Sequence, residues 1–388
     1  MTRPIYLDAH ATTPVDPRVL DTMLPLLRDQ AGNASSLDHA AGRRTKDAVE
    51  AARRQVAAVI GASHKDIVFT SGATEADNLA IKGVAEVARD RGPHIVTVAT
   101  EHRAVLDTCR HLETRGVRLT VLPVDADGLL DLAALDAAIR PDTVLVSVMA
   151  ANNEIGVLQP LAAIGRLTRA RGVLFHTDAA QAFGRVPLDV GAMGIDLLSI
   201  SAHKIHGPQG VGALYVRTRQ PTVRLAPLFD GGGHERGLRP GTLNAPGIVG
   251  LGTAAAIAAA DMAADAIRLT ALRNRLLAGL RAAIDGVRVN GSLEHRLPHN
   301  LNVSIDGTDE TLASRLDGLA VSAGSACASG SIEPSYVLRA LGVPAASAHG
   351  TLRFGLSRFT TDDEIDRAIA IVRDGVERLR AHRAASQR

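Results

Sequence analysis

The sequence has few aromatic residues: none of its 388 residues is tryptophan, and aromatic side chains make up 2%. A protein that binds single-stranded nucleic acid needs aromatic rings on which bases can stack, together with a basic face. The formal net charge is only +2, and the basic residues are scattered apart from a modest cluster at 378–388. The composition therefore predicts no direct nucleic-acid binding, and the basic cluster is interpreted as a solvated helix end.

Cysteine and long apolar runs are also scarce. Cys109 and Cys327 are too few for a disulfide framework, which favours a reducing cytoplasm. Asp261 and Asp265 interrupt the apolar segment around 254–260, so no window approaches the roughly 18 uninterrupted apolar residues of a membrane helix. The first residues lack the apolar core of a signal peptide. We therefore expect a cytoplasmic protein without membrane contact.

Apolar runs that alternate with amphipathic segments dominate residues 66–176. Nearly continuous apolar strands separated by helices are typical of a parallel sheet covered on both faces, so the fold class is α/β. The length allows two domains of about 100–200 residues each. We expect a large domain over 16–250 and a smaller one formed by 1–15 and 251–388, with a helix at 311–317.

Polar residues follow five successive predicted strands. In a parallel sheet, ligands bind beyond the carboxyl ends of the strands, so these residues are expected to converge. They are the small residues 71–75, Glu101 with His102, the run 151–154, Asp178 with Gln181, and Ser201 with His203 and Lys204.

Each of these signals also has an ordinary structural explanation. Lys204 lies between two apolar runs, where desolvation would lower its pKa and favour a Schiff-base lysine, although most lysines are solvated. Residues 71–75 open a helix whose free N–H groups suit a phosphate, and an ordinary helix cap explains them equally well. Asp178 could cap the chain where its strand ends, or it could hold the proton on the pyridine nitrogen of a cofactor ring. Taken together, the five sites indicate pyridoxal 5′-phosphate, which requires a lysine, an acid and phosphate donors.

The region 194–210 resembles the pyridoxal-phosphate attachment signature of the class V aminotransferase family. Within that family the chain resembles cysteine desulfurases of the bacterial IscS/NifS type over residues 6–379. The matching stretches are 7–14, 70–75, 101–106, 152–156, 231–237 and 325–327. The resemblance implies the pyridoxal-phosphate-dependent fold type I, with a large domain around a mostly parallel seven-stranded sheet and a smaller C-terminal α/β domain.

The resemblance also implies the roles of individual residues. Lys204 would bind the cofactor covalently, Asp178 would pair with its ring nitrogen, and Gln181 would bond its ring oxygen. His102 would stack on the ring and move protons. The phosphate would be held by Ala73, Thr74, Ser201, His203 and, from the second subunit of a homodimer, Thr242.

Substrate binding and sulfur transfer involve three further residues by the same resemblance. Asn153 and Arg353 would bind the substrate carboxylate. Cys327 lies among small residues and is interpreted as a carrier thiol, whereas Cys109 lies on an apolar helix face and is assigned to the core. The implied reaction converts L-cysteine to L-alanine and leaves a persulfide on Cys327. No metal site is predicted.

Several functions remain open on the sequence. The persulfide would pass to a sulfur-acceptor protein, for DNA phosphorothioation, iron–sulfur assembly or tRNA thiolation, and overall similarity favours a phosphorothioation member resembling DndA. Alternatives that keep the cofactor are a selenocysteine lyase or an aminotransferase. A scaffold without catalysis is the alternative of a different class, and the presence of Lys204, Asp178 and His102 argues against it.

Overall fold

The computed structural model of the protein describes residues 4–323 and 334–386. The strands are β1 (Ile5–Tyr6), β2 (Ile67–Thr70), β3 (His94–Val98), β4 (Arg118–Leu122), β5 (Thr143–Ser147), β6 (Leu174–Asp178), β7 (Leu197–Ser201), β8 (Gly212–Val216), β9 (Val287–Val289), β10 (Asn300–Ile305), β11 (Leu319–Ala320), β12 (Ser322–Ala323) and β13 (Thr351–Gly355). The helices are α1 (Pro17–Arg28), α2 (Ala40–Val59), α3 (Ala73–Val87), α4 (Arg103–Glu113), α5 (Leu132–Ala138), α6 (Leu161–Ala170), α7 (Ala245–Ala283), α8 (Tyr336–Ala340), α9 (Ala345–His349) and α10 (Asp362–Ser386).

The largest sheet has seven strands in the order β2-β8-β7-β6-β5-β3-β4. Strand β8 runs antiparallel to both of its neighbours, and the other strands are parallel to one another. Every residue of β2, β3, β7 and β8 is buried, because helices cover both faces of the sheet. The predicted mostly parallel seven-stranded sheet is confirmed.

Two smaller sheets lie in the C-terminal part of the chain. Strands β12-β13-β10-β9 form an antiparallel sheet, and β1 pairs in parallel with β11, so the start of the chain joins the C-terminal part. The division at residues 15/16 and 250/251 stays a prediction.

The expected helix at 311–317 is wrong. Its Leu312 and Leu316 are buried at the helical spacing of four residues, yet only a 3₁₀ turn forms over Ala313–Arg315. A single turn fixes several residues for few hydrogen bonds, so packing of the two leucines stabilises it without extending it. Helices α1 and α9 and strand β9 form where no element was predicted.

Helix α7 is the one helix in the described ranges that is long and apolar enough to cross a membrane by length and composition. Its first half packs against α1 and α2, with Ile248 and Leu251 in the core of the large sheet. Its second half packs against α10, with Leu272 and Leu276 in the core of the antiparallel sheet. Its apolar surface thus connects two cores of this chain.

The helix starts differ in a way that matters for the site. At α10 the Thr361 hydroxyl accepts from the Glu364 N–H, and the Glu364 carboxylate accepts from the Thr361 N–H, which is a capping box. At α3 the preceding residue is Gly72, and no side chain of the described residues caps the helix. The first N–H groups of α3 are therefore available to another acceptor.

Candidate active site

A cavity of about 560 Å³ lies at the carboxyl edge of the parallel strands. Segments that follow β2, β3, β5, β6 and β7 supply its walls, together with the loop at His10 and strand β13. The predicted site residues that line it are Ala73, Thr74, His102, Asn153, Asp178, Gln181, Ser201, His203, Lys204 and Arg353. The five strand exits therefore converge, as the sheet topology predicts.

Two predicted residues remain, Thr242 and Cys327. Thr242 is exposed and does not line this cavity, and its predicted role depends on a second subunit. Cys327 lies outside the described residues. Cys109 is buried in the core between α3, α4 and the sheet, which confirms its assignment to the core.

Lys204 is held by the loop at residues 10–13. Its Nζ donates to the carbonyl oxygens of His10, at 2.5 Å, and Ala11, at 2.7 Å. The Thr13 hydroxyl donates to the carbonyl of His203 at 2.8 Å, and Arg185 donates to the carbonyl of Lys204 itself, also at 2.8 Å. Both the backbone and the amine of this lysine are therefore fixed at the cavity wall.

Asp178 and His102 face the same cavity. Asp178 ends β6, and its Oδ1 accepts from the Ala180 N–H at 2.8 Å. Burial raises the pKa of the Asp178 carboxyl, while His102, the Ala180 N–H and Lys204 act in the opposite direction. His102 caps α4, because its Nδ1 accepts from the Ala104 N–H at 3.1 Å. A cationic ring nitrogen beside Asp178 would stabilise the ionised carboxylate that burial disfavours.

Another part of the cavity wall suits an anion. The uncapped N-terminus of α3 presents the N–H groups of residues 73–75, and Thr74 and Ser201 bring hydroxyls to the wall. His203 donates to or accepts from the Thr12 hydroxyl at 3.1 Å. Burial, with Lys204 nearby, lowers the pKa of His203 to about 4, so its ring is neutral at pH 7.

Arg353 from strand β13 and Asn153 from the segment after β5 form another side of the cavity. Arg353 donates through Nη1 to the Asn153 carbonyl at 3.0 Å and through Nη2 to Asp8 Oδ1 at 2.8 Å and Ser322 Oγ at 3.2 Å. Within residues 4–323 and 334–386, its buried Nε and the buried Oδ1 of Asn153 have no hydrogen-bond partner. Buried orphan groups of this kind fit an incoming polar ligand.

The sequence patterns assigned no role to Asp8 or His10. Asp8 bonds Arg353, and His10 lines the cavity, bonds Gln181 at 2.9 Å and receives Lys204 on its carbonyl. The 7–14 segment matched the family resemblance, but a polar turn carries no local signal of the residues that it meets. Only the tertiary fold brings it onto Lys204 and Gln181, more than 170 residues away.

The cavity walls fit pyridoxal 5′-phosphate in chemistry. A fixed lysine, a buried carboxyl that gains from a cationic partner, and an uncapped helix N-terminus are the three groups that this cofactor requires.

Comparison with known proteins gives the family. The family model described as aminotransferase class-V matches residues 5–368. The cysteine desulfurase IscS of Anaeromyxobacter dehalogenans is 58% identical over 97% of this chain and 93% of its own. A solved structure titled NifS-like protein has a TM-score of 0.89 and 38% identity, covering 96% of this chain and 98% of its own. The structure of DndA from Streptomyces lividans has a TM-score of 0.76 and 42% identity, covering 90% and 99%.

The chain belongs to the class V aminotransferase family. Enzymes of this family that are cysteine desulfurases use pyridoxal 5′-phosphate, and the predicted fold type I is confirmed.

Proposed function

We propose that the protein is a pyridoxal-phosphate-dependent cysteine desulfurase that converts L-cysteine to L-alanine. One observation carries the proposal: Lys204, Asp178, Arg353 and the uncapped N-terminus of α3 all line the same cavity. The relative named cysteine desulfurase, at 58% identity over nearly the whole chain, supports it.

The cavity residues divide into a cofactor group and a substrate group. Lys204 would bind the cofactor covalently, Asp178 would hold its ring nitrogen, Gln181 its ring oxygen and His102 its face. Ala73, Thr74, Ser201 and His203 would hold the phosphate, joined by Thr242 of a second subunit. When bound, this cofactor supplies an electron sink for the bonds at the substrate's α-carbon.

The substrate group binds and orients L-cysteine. The Arg353 guanidinium, with an unused buried Nε–H, and the Asn153 amide would bind its carboxylate, for which arginine is suited by its planar fork. Lys204 would then take the α-proton, because its amine is held at the wall that the substrate must face.

Sulfur transfer requires a thiol, and we assign it to Cys327. Its thiolate would attack the substrate sulfur, so that an S–S bond forms while the Cβ–S bond breaks and its electron pair stays on carbon. A proton then completes L-alanine, and the sulfur remains as a persulfide on Cys327. An acceptor thiol takes it by the attack that operates in thiol–disulfide exchange.

The proposal also covers the protein that accepts the sulfur and the oligomeric state of the enzyme. DNA phosphorothioation, iron–sulfur assembly and tRNA thiolation are the candidate pathways. The sequence identity is higher to the IscS relative than to DndA, which favours the sulfur acceptor that IscS-type enzymes use. We also propose a homodimer located in the cytoplasm. Thr242 is exposed and does not line the cavity of its own chain, so its predicted contact with the phosphate needs a second subunit. The large domain would span 16–250, and the small one 1–15 with 251–388.

The test is to incubate the purified, cofactor-loaded protein with L-cysteine and a reductant and to measure alanine and sulfide. We expect equal amounts of both, and loss of both in Lys204→Ala and Cys327→Ser. Cys109→Ser is the matched control and should retain the rate, since Cys109 lies in the core. Alanine formation that survives Cys327→Ser would contradict the role of this thiol.

A further inference from the structure

A buried chain of hydrogen bonds runs from Arg296 to Gln181. Arg296 Nη1 donates to Asn300 Oδ1 at 2.8 Å, Asn300 Nδ2 contacts His10 Nε2 at 3.0 Å, and His10 Nδ1 contacts Gln181 Oε1 at 2.9 Å. All four residues are buried, and Gln181 is the one that the proposed function places on the cofactor. The roles of the His10 ring nitrogens depend on its tautomer, which the two ends of the chain determine.

The Arg296 end fixes the direction of the first two bonds. A guanidinium has only donors, so the Asn300 atom facing it must be the oxygen, and the atom facing His10 must be the NH₂ group. The same NH₂ group also donates to the Glu154 carbonyl at 3.2 Å. His10 Nε2 is therefore an acceptor without a proton.

The Gln181 end leads independently to the same tautomer. Gln181 Nε2 lies 3.0 Å from the carbonyl oxygen of His10, and a carbonyl accepts only from a donor, so this atom is the NH₂ group. The Gln181 atom facing His10 Nδ1 is then its oxygen, which requires a proton on Nδ1. Neutral His10 with Nδ1–H is the one state that satisfies both ends.

The surroundings of His10 keep it in that state. Burial lowers the pKa of His10 well below its ordinary value, and the positive charges of Arg353, Lys204 and Arg185 act in the same direction, against the bond to Gln181. A protonated ring would also place an N–H against the Asn300 NH₂ group.

We propose that His10 is a positioning residue that orients the Gln181 amide, so that its NH₂ group rather than its oxygen is presented to the cofactor. One proton of this NH₂ donates to the His10 carbonyl, and the second is left for an oxygen in the cavity. The same carbonyl accepts from Lys204 Nζ, so one residue aligns both a cofactor donor and the lysine. This inference rests on the role that the proposed function gives Gln181.

The first test measures the tautomer in the cofactor-free protein. Histidine labelled with ¹⁵N, with the His10 signals assigned by their loss in His10→Asn, should show a neutral ring protonated at Nδ1 from pH 6 to 9. A ring protonated at Nε2, or one that titrates in this range, overturns the proposal. Because no cofactor or substrate is present, this result is independent of whether the proposed function is correct.

The second test measures the effect on the bound cofactor. A donor to the ring oxygen stabilises its anion. His10→Ala removes the ring bond that holds the Gln181 oxygen and leaves only the backbone bond to the NH₂ group, so this donor should be less well aligned. We expect the pH midpoint of the cofactor's visible absorption change to rise by about 0.5–1 unit. His10→Asn, whose amide can donate from the position of Nδ1, should restore the midpoint to within about 0.2 unit.

His299→Ala is the matched control for this second test. The His299 ring stacks on His10 with centroids 4.5 Å apart, so the variant opens the same stack without removing a bond to Gln181. Its midpoint should stay within about 0.2 unit of the parent. An equal shift in His299→Ala and His10→Ala would show an effect of packing alone, and no shift in His10→Ala would show that its ring does not align the Gln181 donor. Either result would overturn the proposal.

Discussion

The two sides of the cavity are built in different ways. The side with Asp178, Ser201 and Lys204 comes from successive strands of one buried sheet, and each of these residues follows or ends its strand. The side with Arg353 and Asn153 joins strand β13 to a loop after β5, and Asp8 from the start of the chain completes it. The first side is fixed by the sheet, whereas the second depends on contacts between distant segments.

The largest effect that separates the two sides is expected from Arg353→Lys. Lysine keeps the charge, but it cannot keep the bonds to Asn153, Asp8 and Ser322 and also bind a carboxylate through a second donor. We expect KM for L-cysteine to rise about 10–100-fold, while the visible spectrum of the bound cofactor is unchanged.

Arg358→Lys is the control for this substitution. The Arg358 side chain is 7% exposed, against 2% for Arg353, and pairs with Asp16 and Asp265. It does not line the cavity, so KM should change less than about twofold. If Arg353→Lys also lost the cofactor, the two sides would not be separable.

The same difference explains what the sequence could predict. Apolar strands and the polar residues that follow them are local patterns, so the sheet, Lys204 and Asp178 could be predicted from the sequence. Arg353 lies inside a buried strand, where no local pattern marks it, and its role came only from the family resemblance. His10 and Asp8 lie in a stretch that matched the family, but no local pattern indicated their contacts, since their partners are more than 170 residues away. The helix expected at 311–317 failed for a related reason: the spacing of Leu312 and Leu316 reflects burial of a single turn.

A smaller effect, on the pH dependence of stability, is expected from Glu154, which is next to Asn153 on the substrate side. Burial raises the pKa of the Glu154 carboxyl to about 7, although its Oε2 accepts from the Ser335 hydroxyl at 2.5 Å. Between pH 4.5 and 7 the unfolded chain therefore loses the proton that the folded protein keeps, and stability falls as pH rises.

Glu154→Gln removes this dependence and keeps an oxygen for Ser335. In the cofactor-free protein, its unfolding free energy relative to the parent should rise by up to about 3 kcal/mol between pH 4.5 and 7, measured by urea titration. The exposed Glu377→Gln serves as the control and should give a difference that is nearly independent of pH. If the difference between Glu154→Gln and the parent did not change with pH, Glu154 would not be a carboxyl that keeps its proton on folding.

The smallest effect is expected on the chemical reactivity of Cys109, which lies in the core of the large sheet. Burial raises the pKa of this thiol to about 12, with the nearby carboxyls of Glu101 and Glu113 acting in the same direction, so almost no thiolate forms at pH 8. In Cys327→Ser, Cys109 is the only cysteine left. An alkylating reagent should label less than about 5% of the folded variant in an hour, and one thiol per chain in denaturant. Rapid labelling of the folded form would mean that the core behind Asp178 opens readily, and the sheet-built side would then be no more rigid than the side assembled around Arg353.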